Sequence, residues 1–240
     1  MPDQKVILVA LGGCSSSGKT TIAKLTATLI PDCVLIHQDD FYKHDEAIPM
    51  NDKYGIQDWD CAGALDFDAF EKELDSIKRT GSVSLKLIHN NNVDDPSKFQ
   101  IEADFLGSLK EKYRKMVSKN YKIVIVDGFM LFNHASVRSK FDLKLLIRAS
   151  YDVLKRRRAS RKGYQTLDSF WTDPPYYFDE FVYHGYKEAH QQFFINNDVE
   201  AALNPATADG ILAFNNDDTT PIQTSLEWVC NELVSRVSDL

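Results

Sequence analysis

Two stretches of this chain carry residues with a chemistry of their own: "GCSSSGKT" at 13–20 and "IHQDDFYK" at 36–43. The first satisfies G-x-x-x-x-G-K-[ST] in full. Gly13 and Gly18 free the backbone to aim successive N–H groups inward at phosphate oxygens. Lys19 would place a point charge on the β- and γ-phosphates of a nucleotide, and the Thr20 hydroxyl would coordinate Mg²⁺. A helix opening near Gly18 offers its positive dipole end to the same anion. The second stretch sets two adjacent carboxylates, Asp39 and Asp40, before two aromatics, Phe41 and Tyr42. A kinase acting on a hydroxyl needs a carboxylate to orient it and accept its proton. Asp39 is the candidate for that role, with Asp40 holding the loop or a substrate hydroxyl. Phe41 and Tyr42 are either ordinary core aromatics or flat surfaces on which a base stacks.

These residues need a scaffold that brings them to one edge. "VILVAL" at 6–11 is a β-branched, wholly apolar run, the pattern of a strand buried on both faces. It leads into the glycine-rich turn, and "TTIAKLTATLI" then carries apolar residues at helical spacing up to Pro31. "CVLI" at 33–36 is a second strand, which completes a βαβ unit just before the Asp pair. Further strands are expected at 122–128, 141–148 and, at an edge, 211–214. Helices are expected at 66–78, 101–117, 152–162, 179–196 and 221–237. Residues 81–95 read as a strand plus an exposed loop. Strands alternating with helices predict an α/β fold with a parallel β-sheet and helices on both faces. Ligands then bind beyond the C-terminal ends of the strands. No linker or repeat divides the chain, so residues 1–240 read as a single domain, with an insertion at 76–119 and a lid and flap at 155–178.

Three further features belong at that edge. Asp127 closes "IVIVD" where an acid could hold the Mg²⁺ shell through water; a capping role at the strand end is the alternative. "DWD" at 58–60 repeats the theme of an aromatic beside acids, with Trp59 and Asp60, and a ring to stack on plus a carboxylate for vicinal hydroxyls is what a ribonucleoside requires. "KRRRASRK" at 155–162 is a nucleic-acid or targeting patch, a solvated helix face, or a basic lid that neutralises the moving phosphoryl group. Its place between a strand and a Gly/Pro/aromatic-rich loop favours the lid. Arg158 and Arg161, and Arg157 and Arg161, would share helical faces.

The exclusions come from composition. A net charge of −7 argues against general nucleic-acid binding. No apolar stretch approaches the length of a membrane span, and the four cysteines lack CxxC spacing, so they read as free thiols in a reducing compartment, the cytoplasm or the nucleus. The six histidines lack H-x₃-H or HExxH spacing. An N/T-K-x-D element for guanine does not follow Asp127, which sets a GTPase aside.

The stretches "GCSSSGKTT", "IHQDDFYKH", "WDCAGALDF", "IVDGFMLFN" and "KRRRASRKGYQT…DPPYYFDEFV" together resemble the fungal nicotinamide riboside kinases, within the uridine-kinase-like P-loop kinases. The likeness covers most of the chain and is close around 6–67 and 122–186. It implies a P-loop kinase fold with an Arg-rich lid, and ATP- and Mg²⁺-dependent phosphorylation of the riboside 5′-hydroxyl on the way to NAD. It makes Asp39 the proton acceptor and, with Thr20, a metal contact, and groups Lys19, Arg158 and Asp127 with it in catalysis. Nucleotide contacts would come from Gly13, Cys14, Ser15, Ser16, Ser17, Gly18, Lys19, Thr20, Thr21, Arg157 and Arg161. Substrate contacts would come from Asp39, Asp40, Phe41, Tyr42, Trp59, Asp60, Arg158, Tyr164 and Gln165. Gly12 stands where relatives commonly have Ser, and Asp127 where some have Glu. A uridine or cytidine kinase of the same architecture is the nearer rival, because stacking plus a ribose carboxylate suits any nucleoside. A P-loop regulatory protein without an acceptor is the distant one.

Overall fold

In the computed structural model, which describes residues 5–84, 99–117 and 120–238, the first half of the chain forms β1 (Lys5–Gly12), α1 (Lys19–Leu29), β2 (Val34–His37), a small hairpin of β3 (Met50–Asn51) and β4 (Ile56–Gln57), α2 (Phe67–Thr80) and α3 (Ala103–Val117). The second half forms β5 (Tyr121–Gly128), α4 (Ala135–Arg138), β6 (Leu143–Arg148), α5 (Tyr151–Ala159), a hairpin of β7 (Tyr164–Gln165) and β8 (Phe170–Trp171), α6 (His184–His190), β9 (Ile211–Asn215) and α7 (Ile222–Ser238).

Five strands make one parallel sheet in the order β2-β5-β1-β6-β9. Side chains of β1 alternate between two cores: Val6, Leu8 and Ala10 on one face, Ile7, Val9 and Leu11 on the other. Because both faces are covered, neither set can be polar, which accounts for the unbroken apolar run. The first core receives Phe70, Leu74 and Ile77 of α2, and Val153 and Leu154 of α5; the second receives α1, α3 and α7. α2 is bounded as its sequence suggests. Asp66 caps it by accepting the Ala69 N–H at 2.9 Å, and Gly81 ends it at φ 68°.

Three expectations change. Leu109, Tyr113 and Met116 of α3 are buried against α1 and α7, so this part of the stretch 76–119, expected as an insertion, packs as a layer on the sheet. Residues 81–84 hold a bend at 81–82 and no strand, and the rest of the expected strand and loop, 85–95, lies outside the described residues. The single helix expected at 179–196 is a π-helical turn (Phe178–Tyr183), then α6, then a short 3₁₀ turn. The π turn lets Tyr177 and Phe181 stack, with ring centroids 4.5 Å apart, while the Tyr177 hydroxyl accepts the Trp59 N–H at 2.9 Å. Such turns occur where a helix is re-aimed toward a site. Among the described residues no helix is long and apolar enough to cross a membrane, and all four cysteines are free thiols.

Candidate active site

The chain leaves β1 into the phosphate loop at the point where the sheet order reverses, with β5 on one side of β1 and β6 on the other. Gly18 sits at φ 91° at the start of α1, and a Cβ there would lie 2.5 Å from Asn216 Nδ2. That amide donates to the Ser17 carbonyl at 2.8 Å and is itself held by the Ser225 hydroxyl at 3.1 Å. The loop is therefore tied down from β9 and α7, nearly two hundred residues away in sequence. Ser16 and Ser17 hydroxyls are buried without a hydrogen-bond partner among the described residues, as expected of a polar cradle shaped for an anion. Cys14 turns its thiol into the core, where burial pushes it up to about 12, so it contributes backbone and no nucleophile. The bulk of a side chain at Gly12 would meet the buried Phe132 ring at 2.5 Å, a physical reason for glycine at that position.

Behind the loop, the Thr20 hydroxyl donates to Asp127 Oδ2 at 2.5 Å, and His37 Nδ1 bonds the other carboxylate oxygen. Burial disfavours the charged imidazole, but the hydrogen bond and charge of Asp127, with Asp39 and Asp40 nearby, raise His37 above its ordinary value. Donation to Asp127 leaves the Thr20 lone pairs available to a cation. Thr20, Asp127 and Asp39 are hard oxygen donors, and no cluster of three His, Cys, Asp or Glu forms a metal cage among the described residues. That donor set fits Mg²⁺, which binds through one or two protein oxygens plus phosphates and water.

Asp39 and Asp40 lie in a 3₁₀ turn (Gln38–Phe41) that follows β2, and the turn separates them. Asp39 lines the main cavity together with Lys19 and Thr20, whereas Asp40 does not. Phe41, expected among the substrate contacts, is 4% exposed and packs on Phe70 with ring centroids 4.9 Å apart. Tyr42, the next residue, does line the cavity, stacked on Phe129 at 6.0 Å and edge-on to Trp59 at 5.9 Å. Trp59, Asp60, Arg158, Tyr164 and Gln165, expected as substrate contacts, and Arg161, expected as a nucleotide contact, also line this cavity. Trp59 Nε1 and the Tyr164 hydroxyl are buried with no partner among the described residues, which leaves two polar atoms for a ligand.

Arg158 is the hub of this wall. It is 7% exposed, forks onto Asp173 at 2.6 and 3.0 Å, reaches Asp60 at 3.4 Å and donates to Ser15 Oγ at 2.7 Å. The Tyr164 ring lies 4.1 Å from its guanidinium carbon. Asp60 is pushed up to about 6: burial is the main cause, Arg158 opposes it, and Asp173, Asp58 and Asp39 reinforce it. The three basic residues before Arg158 are also answered from within the chain. Lys155 pairs with Asp179, and both Arg156 and Arg157 pair with Asp218. α5 ends at Ala159, so Arg161 lies beyond the helix and the expected shared helical faces with Arg157 and Arg158 do not exist. Arg161 nevertheless borders both the main cavity and a second cleft lined by Gly18, Thr21, Arg157, Asn216 and Thr220.

Four participants escaped the sequence reading. Phe129 and Trp171 line the cavity, Asp173 fixes Arg158, and Asn216 anchors the loop. Phe129 lies in a quoted motif, "IVDGFMLFN", so a signal for it existed. Asp173 opens another quoted motif, "DPPYYFDEFV", 15 residues after the Arg158 it fixes, whereas Asn216 had no signal, because it acts on a loop 199 residues away.

A family model described as phosphoribulokinase / uridine kinase family matches residues 8–166. Three relatives are called nicotinamide riboside kinase. The one from Saccharomyces cerevisiae is 60% identical over 240 residues, 100% of both chains. The one from Eremothecium gossypii is 48% identical over 95% of this chain and 93% of its own. The one from Schizosaccharomyces pombe is 34% identical over 97% and 98%. With the phosphate loop, the acid at the edge of β2 and the aromatic cavity all in one site, the chain belongs to the nicotinamide riboside kinases, within the phosphoribulokinase/uridine kinase family.

Proposed function

We propose that this protein transfers the terminal phosphoryl group of ATP to the 5′-hydroxyl of nicotinamide riboside, giving the mononucleotide for NAD biosynthesis, and accepts nicotinic acid riboside as well. One observation carries the reading. The phosphate loop and Asp39 open onto a single cavity whose other walls include aromatic rings, a carboxylate and two arginines. The names of the relatives support the same acceptor. Rings of Tyr42, Trp59 and Trp171 suit a flat pyridinium, whose positive charge is drawn to aromatic faces and to Asp39 and Asp60. Asp60 and the buried Trp59 Nε1 offer hydrogen bonds to a ribose.

Phosphoryl transfer asks the protein chiefly for positioning and charge stabilisation. Lys19 and the loop amides hold the donor phosphates, and Arg158 and Arg161 face them across the cavity. Asp39 accepts the proton of the attacking hydroxyl. Bound Mg²⁺, held on the side of Thr20, Asp39 and Asp127, would neutralise phosphate charge. Water is kept out by the β7–β8 hairpin, whose tip is fastened to the 44–45 loop. There the Thr166 and Ser169 hydroxyls donate to Asp45 Oδ2 at 3.0 and 2.6 Å, and the Asp45 N–H donates to Asp168 at 3.0 Å.

The reading is tested by kcat/KM with Mg-ATP for nicotinamide riboside, nicotinic acid riboside, uridine and cytidine side by side. The two pyridine ribosides are expected to lead. Faster turnover of the pyrimidines would keep the fold and Asp39 but reassign the acceptor.

A pH prediction comes from Asp60. Its carboxylate, with a value of about 6 in place of the ordinary 3.8, is ionised above that pH and protonated below it. Only the ionised form can accept freely through both oxygens and attract a cationic ring. The kcat/KM for the riboside is therefore expected to fall as pH drops below about 6 and to be flat above, because this ratio reports the free enzyme. Asp60→Asn should be slower at every pH and lack that limb. A limb that persists in Asp60→Asn would belong to another group.

A further inference from the structure

We infer that His37 is a positioning residue for the metal side of this site, holding the Asp127 carboxylate in the orientation that Thr20 and the cation share. The inference rests on the proposed reading of Thr20 and Asp127 as that side. β2 and β5 pair in a register that sets His37 directly beside Asp127, and both side chains are buried, at 6% and 3% exposure. Each carboxylate oxygen then has its own partner: His37 Nδ1 on Oδ1, and the Thr20 hydroxyl on Oδ2 at 2.5 Å. A carboxylate bonded at one oxygen keeps its rotation about Cβ–Cγ, a broad and soft torsion. Partners on both oxygens remove that freedom, so the Thr20 proton stays directed at Asp127 and the lone pairs stay directed away from it. A histidine that merely filled space at the end of a buried strand would have no need to aim Nδ1 at this acid. Groups that orient metal-binding carboxylates in this way are typically worth about 10–100-fold in metal affinity or activity.

The two amide substitutions separate orientation from bulk. In His37→Asn the side-chain N–H falls close to the place of imidazole Nδ1, whereas in His37→Gln it reaches toward the place of Nε2. The measurement is Mn²⁺ affinity, by electron paramagnetic resonance, of the full chain with β,γ-imido-ATP, for wild type, both variants and Asp127→Asn. Affinity for the nucleotide analogue without metal and Tm are recorded alongside. We expect His37→Gln to weaken Mn²⁺ binding about 10–100-fold, His37→Asn to recover most of that loss, and metal-free nucleotide affinity to stay constant. If both His37 variants bind Mn²⁺ like wild type while Asp127→Asn does not, the inference is overturned and the reading of Asp127 stands. If Asp127→Asn also binds like wild type, that reading fails and the inference falls with it. Equal losses of affinity and of Tm in both variants would reduce His37 to a packing residue.

Discussion

Asp39→Asn is expected to lower kcat by about 10²–10⁴-fold while ATP-analogue affinity stays close to wild type. The substitution keeps the shape of the side chain and removes its ability to take a proton. Asp39 is exposed at the cavity, on a 3₁₀ turn whose stability comes from the buried neighbours Gln38 and Phe41. Gln38 fixes that turn independently of Asp39, since its amide donates to the Met130 carbonyl at 3.1 Å and accepts the Met130 N–H at 2.9 Å. The variant should therefore fold normally, with unchanged Tm, and its loss should lie in kcat more than in KM. Because Asp39 is also proposed to touch Mg²⁺, the assay is repeated across Mg²⁺ concentrations. A defect that saturating Mg²⁺ repairs would be one of metal binding. Turnover within tenfold of wild type at saturating Mg²⁺ would remove Asp39 from the role of base.

Arg158→Ala is expected to damage both the fold and the reaction. Its guanidinium is buried and answers two carboxylates, Asp60 and Asp173, so its loss leaves two acids in a site of low polarity with no cation between them. Breaking such a pair on one side costs about 3–5 kcal/mol, against about 0–1 kcal/mol for a pair at the surface. In a chain of this size that lowers Tm on the order of 10 °C. kcat should fall as well, because the same guanidinium reaches the phosphate loop at Ser15, where the donor phosphates are proposed to lie. Arg158→Lys keeps a charge and loses the fork to Asp173, so it should recover little. The stability loss should shrink when Asp60→Asn and Asp173→Asn are combined with Arg158→Ala, since the stranded charges are then gone. Thermal unfolding of the four proteins checks this. Unchanged Tm in Arg158→Ala would mean that water reaches these carboxylates freely and that the pair adds nothing to the fold.

What the sequence determined by itself is what depends on neighbours a few residues apart. Apolar runs at 6–11 and 122–128 specify strands covered on both faces, and both occur as β1 and β5. The spacing of "GCSSSGKT" specifies a loop whose chemistry lies in its own backbone, and the loop stands at the end of β1 with α1 behind it. Asp39 was legible because it follows closely on the next strand and so had to emerge at the same edge. Periodicity also marked α3 as a helix, yet could not say what its apolar face would cover.

Tertiary structure alone decided the partners. Tyr42 and Phe41 are adjacent and alike in sequence, but the turn after β2 sends one into the cavity and the other against Phe70. Arg158 was legible as a basic lid residue. Its grip on Ser15 across 143 residues and on Asp60 across 98, and its fork onto Asp173, were not. The same holds for Asn216 on the loop carbonyl and for His37 on Asp127. Backbone period is set by sterics and hydrogen bonds within a turn or a strand, so it is written in local spacing. A site is set by which strand ends the sheet order brings side by side. In a β2-β5-β1-β6-β9 sheet those ends belong to segments a hundred residues apart, whose side chains carry no record of one another until the chain has folded.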